Sequence, residues 1–288
     1  MKDSTVIPKA FVWRRLHSLT GFFLSLYLFE HLLVNSQAAL FLGDDGRGFI
    51  EAVNAIHQLP YLPFIEVLLL GVPIIIHGIY GIRYLQTAQS NSSLSDGTKP
   101  SLLEYSRNHA YSWQRLTSWF LLFALTFHII HMRFVKYPET ALDNKRQELY
   151  MVRVNDDPGL RPVAERLDVK VYSNDELETT SPWAGALEKK PLQSGEVIAV
   201  TPFFGTAELF MIRETFKMPI MIAFYTLFVL AACYHGFNGL WTFMISWGIT
   251  LTQRSQRLML GFSNFLMILV AFFGLAAIWG TYWFNLKQ

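Results

Sequence analysis

The sequence predicts an all-α membrane protein with five spanning helices and a polar insert outside the bilayer. Three observations predict it. Hydrophobic residues make up 52% of the chain and charged residues only 16%, where a soluble domain carries about 25%. The missing charge is concentrated in five apolar blocks that each reach the roughly 20 residues needed to cross a bilayer core as helix. The short connections between blocks carry most of their arginine and lysine on one side, as positive-inside topology requires.

The first block covers residues 16 to about 40 and contains internal polar residues. The second covers 62–85, the third 111–135, the fourth 218 to about 246 and the fifth 258–284. Trp13, Tyr61, Trp113, Trp247, Trp279 and Trp283 fall near block ends, as an interfacial aromatic belt would place them. Trp119 and Trp241 do not fit that belt. Arg14 and Arg15 precede the first block, and Arg83, Lys99, Arg107 and Arg115 flank the second connection. Arg254 and Arg257 lie in the fourth connection, whereas Arg47 in the first is offset by Asp44, Asp45 and Glu51. The N-terminus is therefore expected in the cytoplasm and the C-terminus outside. Residues 1–15 have no small-residue cleavage site and do not read as a removable signal.

Residues 136–217 differ from the rest, being polar, mixed in charge and rich in proline. They follow an outward block and precede an inward one, so they are expected as an extracytoplasmic insert. Val169 to Tyr172 and Glu196 to Thr201 are its candidate strands. The chain thus divides into residues 1–135 with the first three spans, 136–217, and 218–288 with the last two. A net charge of +2 gives no sign of nucleic-acid binding. The single cysteine, Cys233, excludes an internal disulfide and a cysteine-ligated iron–sulfur cluster.

Histidines give the chain its chemistry. Ionisable groups at membrane depth are costly and mark function. His31 follows Arg15 by 16 residues and His128 follows Arg115 by 13, so they lie about 24 and 20 Å along two outward helices. His77 precedes Arg83 by six residues, about 9 Å from the inner end of an inward helix. His235 falls in the cytoplasmic half of the fourth span. Two layers result, an outer pair of His31 and His128 and an inner pair of His77 and His235. A six-coordinate haem iron takes one imidazole on each face, and a helical bundle can hold such groups between facing helices. A haem-free reading stands beside this one, because membrane histidines also hydrogen-bond helix to helix. Gly78, Gly81 and Gly236 would let helices or a flat macrocycle approach closely, and serve ordinary helix packing equally well. Arg14, Arg15, His17 and Ser18 at the inner end of the first span could bind haem propionates. Arg83 is either another such group or an interfacial anchor.

The motifs carry a resemblance. They are Arg14-Arg15-Leu16-His17-Ser18-Leu19-Thr20-Gly21, Glu30-His31-Leu32-Leu33-Val34-Asn35, Pro73 through His77 to Gly81, Gln114-Arg115-Leu116-Thr117, and His235-Gly236-Phe237-Asn238-Gly239-Leu240-Trp241 running on to Arg257. Over about residues 10–135 and 218–284 the chain resembles the di-haem cytochrome b558 membrane subunits of succinate dehydrogenase. The likeness is to the Bacillus-like type that reduces menaquinone, related more distantly to fumarate reductase cytochrome b. The insert is longer than that family leads one to expect. The resemblance implies two haem b groups, with His77 and His235 on the inner iron and His31 and His128 on the outer. It favours His128 over His131, three residues on, for the outer position. It also implies a flavoprotein and an iron–sulfur subunit as cytoplasmic partners and a quinone, menaquinone by type, as electron acceptor.

Quinone reduction would need protons, and Glu66 is the foremost acid. It lies 11 residues before His77, three turns outward on nearly the same face of a regular helix. A carboxyl at that depth could relay protons or simply hydrogen-bond another helix. Glu30 is adjacent to His31 but points about 100° away. Glu51 and His57 either line an approach for quinone or are plain loop residues. Two rivals remain at this point: a cytochrome b anchor of another oxidoreductase, such as a hydrogenase or formate dehydrogenase, and a haem-free transporter using membrane histidines for protons or metal.

Overall fold

Long apolar helices and one small antiparallel sheet make up the molecule in a computed structural model that describes residues 7–87, 104–143, 145–176 and 191–287. Lys99 and Pro182 lie outside the described residues. Helix α1 spans Lys9–Ser36, α2 Arg47–His57, α3 Leu62–Glu66, α4 Val72–Thr87 and α5 Ser106–Ile129. Strands β1 Glu139–Leu142 and β2 Glu148–Asn155, helix α6 Leu160–Arg166, and strands β3 Lys170–Tyr172 and β4 Glu196–Thr201 follow. Helices α7 Phe204–Phe216, α8 Pro219–Ser246 and α9 Gln253–Gly280 complete the order.

Among the described residues, four helical runs are long and apolar enough to cross a membrane: Leu62–Thr87, Arg107–Val135, Pro219–Ser246 and Gln253–Asn285. Helix α1 has 28 residues, about 42 Å of helix, so its length suffices. Its charged start and scattered polar residues keep it less apolar than the other four. Three of the runs contain a π-helical turn, at Val67–Gly71, Ile130–Val135 and Thr281–Asn285. The first has a local cause. Pro73 has no N–H to give the carbonyl of Leu69 and its ring crowds that carbonyl. The backbone widens just before it, and the Val72 N–H bonds back to the Val67 carbonyl. An inserted π turn of this kind rotates everything beyond it.

The chain forms two units. The first consists of Met1–His31, Pro63–Thr126 and Phe228–Ala271. Polar contacts join its helices beside close packing, as expected where lipid supplies no hydrophobic drive. Arg15 donates to the Ser246 carbonyl and lies over the Trp247 ring. The Gln114 amide donates to the His235 carbonyl at 3.0 Å, and Asn238 donates to Gln114 at 2.7 Å. The Ser25 hydroxyl, 2.9 Å from the Gly21 carbonyl, also lies 3.2 Å from that of Gly236. Phe22 stacks on Phe243 with centroids 4.7 Å apart.

The second unit consists of Leu32–Leu62, Phe127–Leu227 and Phe272–Gln288, and holds the insert. Its sheet is antiparallel in the order β1-β2-β4-β3. Met151 pairs with Val200 and Val152 with Ala199 between the central strands. Helix α7 packs on β2 and β4. A smaller cluster of Met151, Ile198 and Val200 gathers Ala141, Leu149, Tyr172 and Leu192 around it. The two strands expected from sequence are present as β3 and β4; β1, β2, α6 and α7 were not anticipated. Helix α2 lies against α7, where Asn54 accepts from the Gly205 N–H at 2.8 Å. A side chain at Gly205 would meet the Ile50 carbonyl at 2.5 Å, so this approach requires glycine.

Charged residues lock the second unit. Arg213, wholly buried, donates to both carboxyl oxygens of Asp157 at 2.8 Å and to the Leu286 carbonyl at 2.7 Å. Lys217 joins Asp157 at 3.1 Å and Glu214 at 2.8 Å. Two positive and two negative groups are thereby balanced, which buried charge demands. Arg166 grips Asp45 through two nitrogens, fastening the residues after α1 to α6.

Candidate functional site

The inner site is built in the first unit from α1, α4, α5 and α8. His77 on α4 and His235 on α8 have ring centroids 6.1 Å apart and ring planes at 84°. Two imidazoles bound on opposite faces of one metal ion have centroids about 6 Å apart, from metal–nitrogen bonds of about 2 Å and about 1.1 Å within each ring. The observed separation is compatible with one iron between the two rings, and equally with an ordinary edge-to-face ring contact.

Hydrogen bonds select the nitrogen that would face it. Nδ1 of His77 lies 3.0 Å from the His17 carbonyl. A carbonyl only accepts, so His77 carries its proton on Nδ1 and its lone pair on Nε2. Nδ1 of His235 lies 3.3 Å from Ser118 Oγ and 3.5 Å from Thr117 Oγ1. Ser118 already donates to the Gln114 carbonyl at 2.6 Å, and Thr117 to the Trp113 carbonyl at 2.8 Å. With their protons committed, the hydroxyls accept from His235 and leave its Nε2 lone pair free. Oriented imidazoles of this kind are the ordinary second layer of a metal site. The residues present therefore fit a haem iron at this position. Among the described residues, no three His, Cys, Asp or Glu side chains converge to hold a bare metal ion.

The other residues expected at the inner end fall as follows. His17 does not turn outward; its ring stacks on His77 with centroids 4.0 Å apart. Arg15 is engaged with Ser246 and Trp247, and Ser18 Oγ lies 3.5 Å from Ser246 Oγ. Of the small residues, Gly236 faces Ser25 and Leu28 of α1, and Gly81 faces His17. Gly21 was not singled out for packing, yet its missing side chain would stand 2.8 Å from the His77 ring.

Each outer imidazole lies beside a phenol. In the first unit His31 stacks on Tyr27, one turn earlier, with Nδ1 3.3 Å from the hydroxyl. In the second unit His128 Nδ1 lies 3.3 Å from the Tyr225 hydroxyl. His131 falls in the π turn after α5, is buried and stacks on Phe127. Its Nδ1 has no hydrogen-bond partner among the described residues. Tyr27, Tyr225, Ser118 and Thr117 were not anticipated. Only their spacing from a histidine could have flagged Tyr27, four residues before His31.

Glu66 ends α3, half-buried, immediately before the π turn. That turn breaks the regular 11-residue register, so the same-face argument linking Glu66 to His77 does not carry across it. In the second unit His57 stacks on Phe204 at 3.9 Å and meets Tyr150 edge-on at 5.7 Å. Glu51 is exposed on α2.

Against known proteins, no family model and no solved structure matches the chain. Over 271 residues it is 24% identical to the succinate dehydrogenase cytochrome b558 subunit of Bacillus subtilis (strain 168), covering 94% of this chain and 96% of that one. The resemblance drawn from the motifs is thus borne out. With the membrane helices, it supports a bacterial succinate dehydrogenase cytochrome b membrane subunit whose membrane part is all-α, the sheet lying in the insert.

Proposed function

We propose that the chain is the di-haem cytochrome b anchor of a succinate:quinone oxidoreductase, crossing the cytoplasmic membrane five times. The N-terminus lies in the cytoplasm, and the insert and C-terminus lie outside. A flavoprotein subunit and an iron–sulfur subunit dock on the cytoplasmic side. The single observation that carries this reading is the pair His77 and His235, 6.1 Å apart, with Nδ1 of each beside a protein oxygen.

Two haem b groups, when bound, supply one-electron transfer through the membrane to a quinone, menaquinone by resemblance. The chain's own residues do the rest. His77 and His235 present Nε2 to the inner iron, with their Nδ1 protons held by the His17 carbonyl and by Ser118 and Thr117. His31 and His128 take the outer iron by depth and motif, and Tyr27 and Tyr225 orient their rings. Arg15 and Ser18 hold propionates, a role resting on their position at the inner end of the first span alone. Glu66 relays protons toward the quinone through its carboxyl, a role resting on its membrane depth alone.

The test is a dithionite-reduced minus oxidised spectrum of the purified complex, with haem stoichiometry and identification of the co-purifying subunits. Two haem b per chain, together with a flavoprotein and an iron–sulfur protein, is the expected result. A colourless protein would reject the reading. Haem with the soluble subunits of a different dehydrogenase would reassign it.

A further inference from the structure

We propose that His17 is a positioning residue for the inner iron ligand: its ring, stacked on His77, fixes the plane of that imidazole and so the angle between the two axial rings. The proposal rests on the haem reading of His77 and His235.

The two histidines form a reciprocal pair. Nδ1 of His17 lies 3.1 Å from the His77 carbonyl, and Nδ1 of His77 lies 3.0 Å from the His17 carbonyl. Their rings are nearly parallel, 14° apart in plane. A histidine serving a propionate would turn its N–H toward the anion; this one gives it to the backbone of α4. His17 is itself held. Tyr84 meets it edge-on at 5.3 Å, Tyr80 lies tilted at 5.8 Å, and Gly81 lies against it. One turn along α1, Gly21 provides the hollow for the His77 ring, since a methyl group there would stand 2.8 Å from its Cε1. His77 is therefore confined between a flat, immobile neighbour and a glycine niche.

That confinement has a spectroscopic consequence. The planes of the His77 and His235 rings stand at 84°. In low-spin ferric haem the angle between axial imidazole planes sets the splitting of the iron d orbitals, and hence the anisotropy of the g values. The Nδ1 bond of His77 goes to a backbone carbonyl, which survives any replacement of the His17 side chain. Replacement removes only the stack and the bond to the His77 carbonyl, so it should disturb the setting of the His77 ring while leaving its own Nδ1 bond in place.

The experiment uses the whole complex purified from membranes, carrying His77→Ala, His17→Ala or His17→Phe. Haem stoichiometry, the EPR spectrum of the oxidised complex and a redox titration are read for each. His77→Ala is expected to lose one of two haems, which identifies the inner signal. His17→Ala should shift the largest g value and midpoint potential of that signal and leave the outer one in place. His17→Phe, which keeps a flat ring, should lie near the wild type. Loss of a haem in His17→Ala with its retention in His17→Phe also supports the proposal. An unshifted inner signal in His17→Ala overturns it, as does an equal shift in both variants. Loss of a haem in both variants overturns it in favour of His17 as a ligand. Retention of both haems in His77→Ala instead rejects the haem reading of His77, a separate failure.

Discussion

Beside the Nδ1 of each of the four imidazoles proposed as iron ligands lies a protein oxygen, but the oxygens differ. The inner rings face a backbone carbonyl and two hydroxyls whose protons are already committed. The outer rings face phenols. Removing a ligand should therefore act differently from removing its support. His235→Ala should leave one haem of two, counted from the haem extracted per chain. Ser118→Ala combined with Thr117→Val should keep both initially but weaken retention about 10–100-fold, measured as haem lost to an apoprotein acceptor. The ligand residues were legible in the sequence because a histidine at membrane depth is conspicuous. Their supports were not, since a serine or threonine one turn from a partner helix looks like any other polar residue in a span. At Asp157, outside the spans, burial pushes the carboxyl up. The hydrogen bonds and charges of Arg213 and Lys217 outweigh it and hold the pKa down at about 2. A carboxyl depressed on folding contributes stability that is present above its ordinary pKa and lost as pH falls through the folded value. The insert should hold to about pH 4 and weaken between about pH 4 and pH 2, followed by proteolysis of the complex at graded pH.

At the scale of elements, apolar length located the spans because the bilayer sets that length from outside. The π turns were hidden, although Pro73 pointed to the first. The turn before it decides where Glu66 faces, which no count of residues to His77 could. In the insert, β4 was recognisable from its β-branched run. β2 was missed because it is buried without a clean alternation of apolar and polar residues. Helix α7 was missed because a short buried helix has no polar stripe to give it away. Gly205 joins α2 to α7 at a distance only a glycine permits. Gly205→Ala should cost the insert about 1–3 kcal/mol through overpacking, read as a lower midpoint for loss of the protease-resistant fragment, with the haem spectrum unaltered. An unchanged midpoint would mean that α2 can shift away from α7 freely.

At the scale of the whole molecule, the sequence spacing sets the proposed ligands at two expected depths, and charge moved between such depths would work with or against the membrane potential. A unit charge crossing the full membrane is worth about 2.3 kcal/mol per 100 mV. Electrons passing from the cytoplasmic to the outer side are drawn by a normally polarised membrane. An uncoupler should therefore slow succinate-dependent quinone reduction in intact cells; an unchanged rate would show that reduction does not draw on the potential. By itself, the sequence determined the membrane class, the approximate span limits and the histidines worth watching, because hydropathy and the rarity of ionisable groups in lipid are local properties of the chain. Tertiary structure decided which oxygen meets each Nδ1, that His17 lies flat on His77, and that Asp157, Glu214 and Lys217 gather around Arg213. Apart from Tyr27 beside His31 and Glu214 beside Lys217, those contacts join residues from 56 to 118 positions apart, and only folding brings such distant atoms within hydrogen-bonding reach.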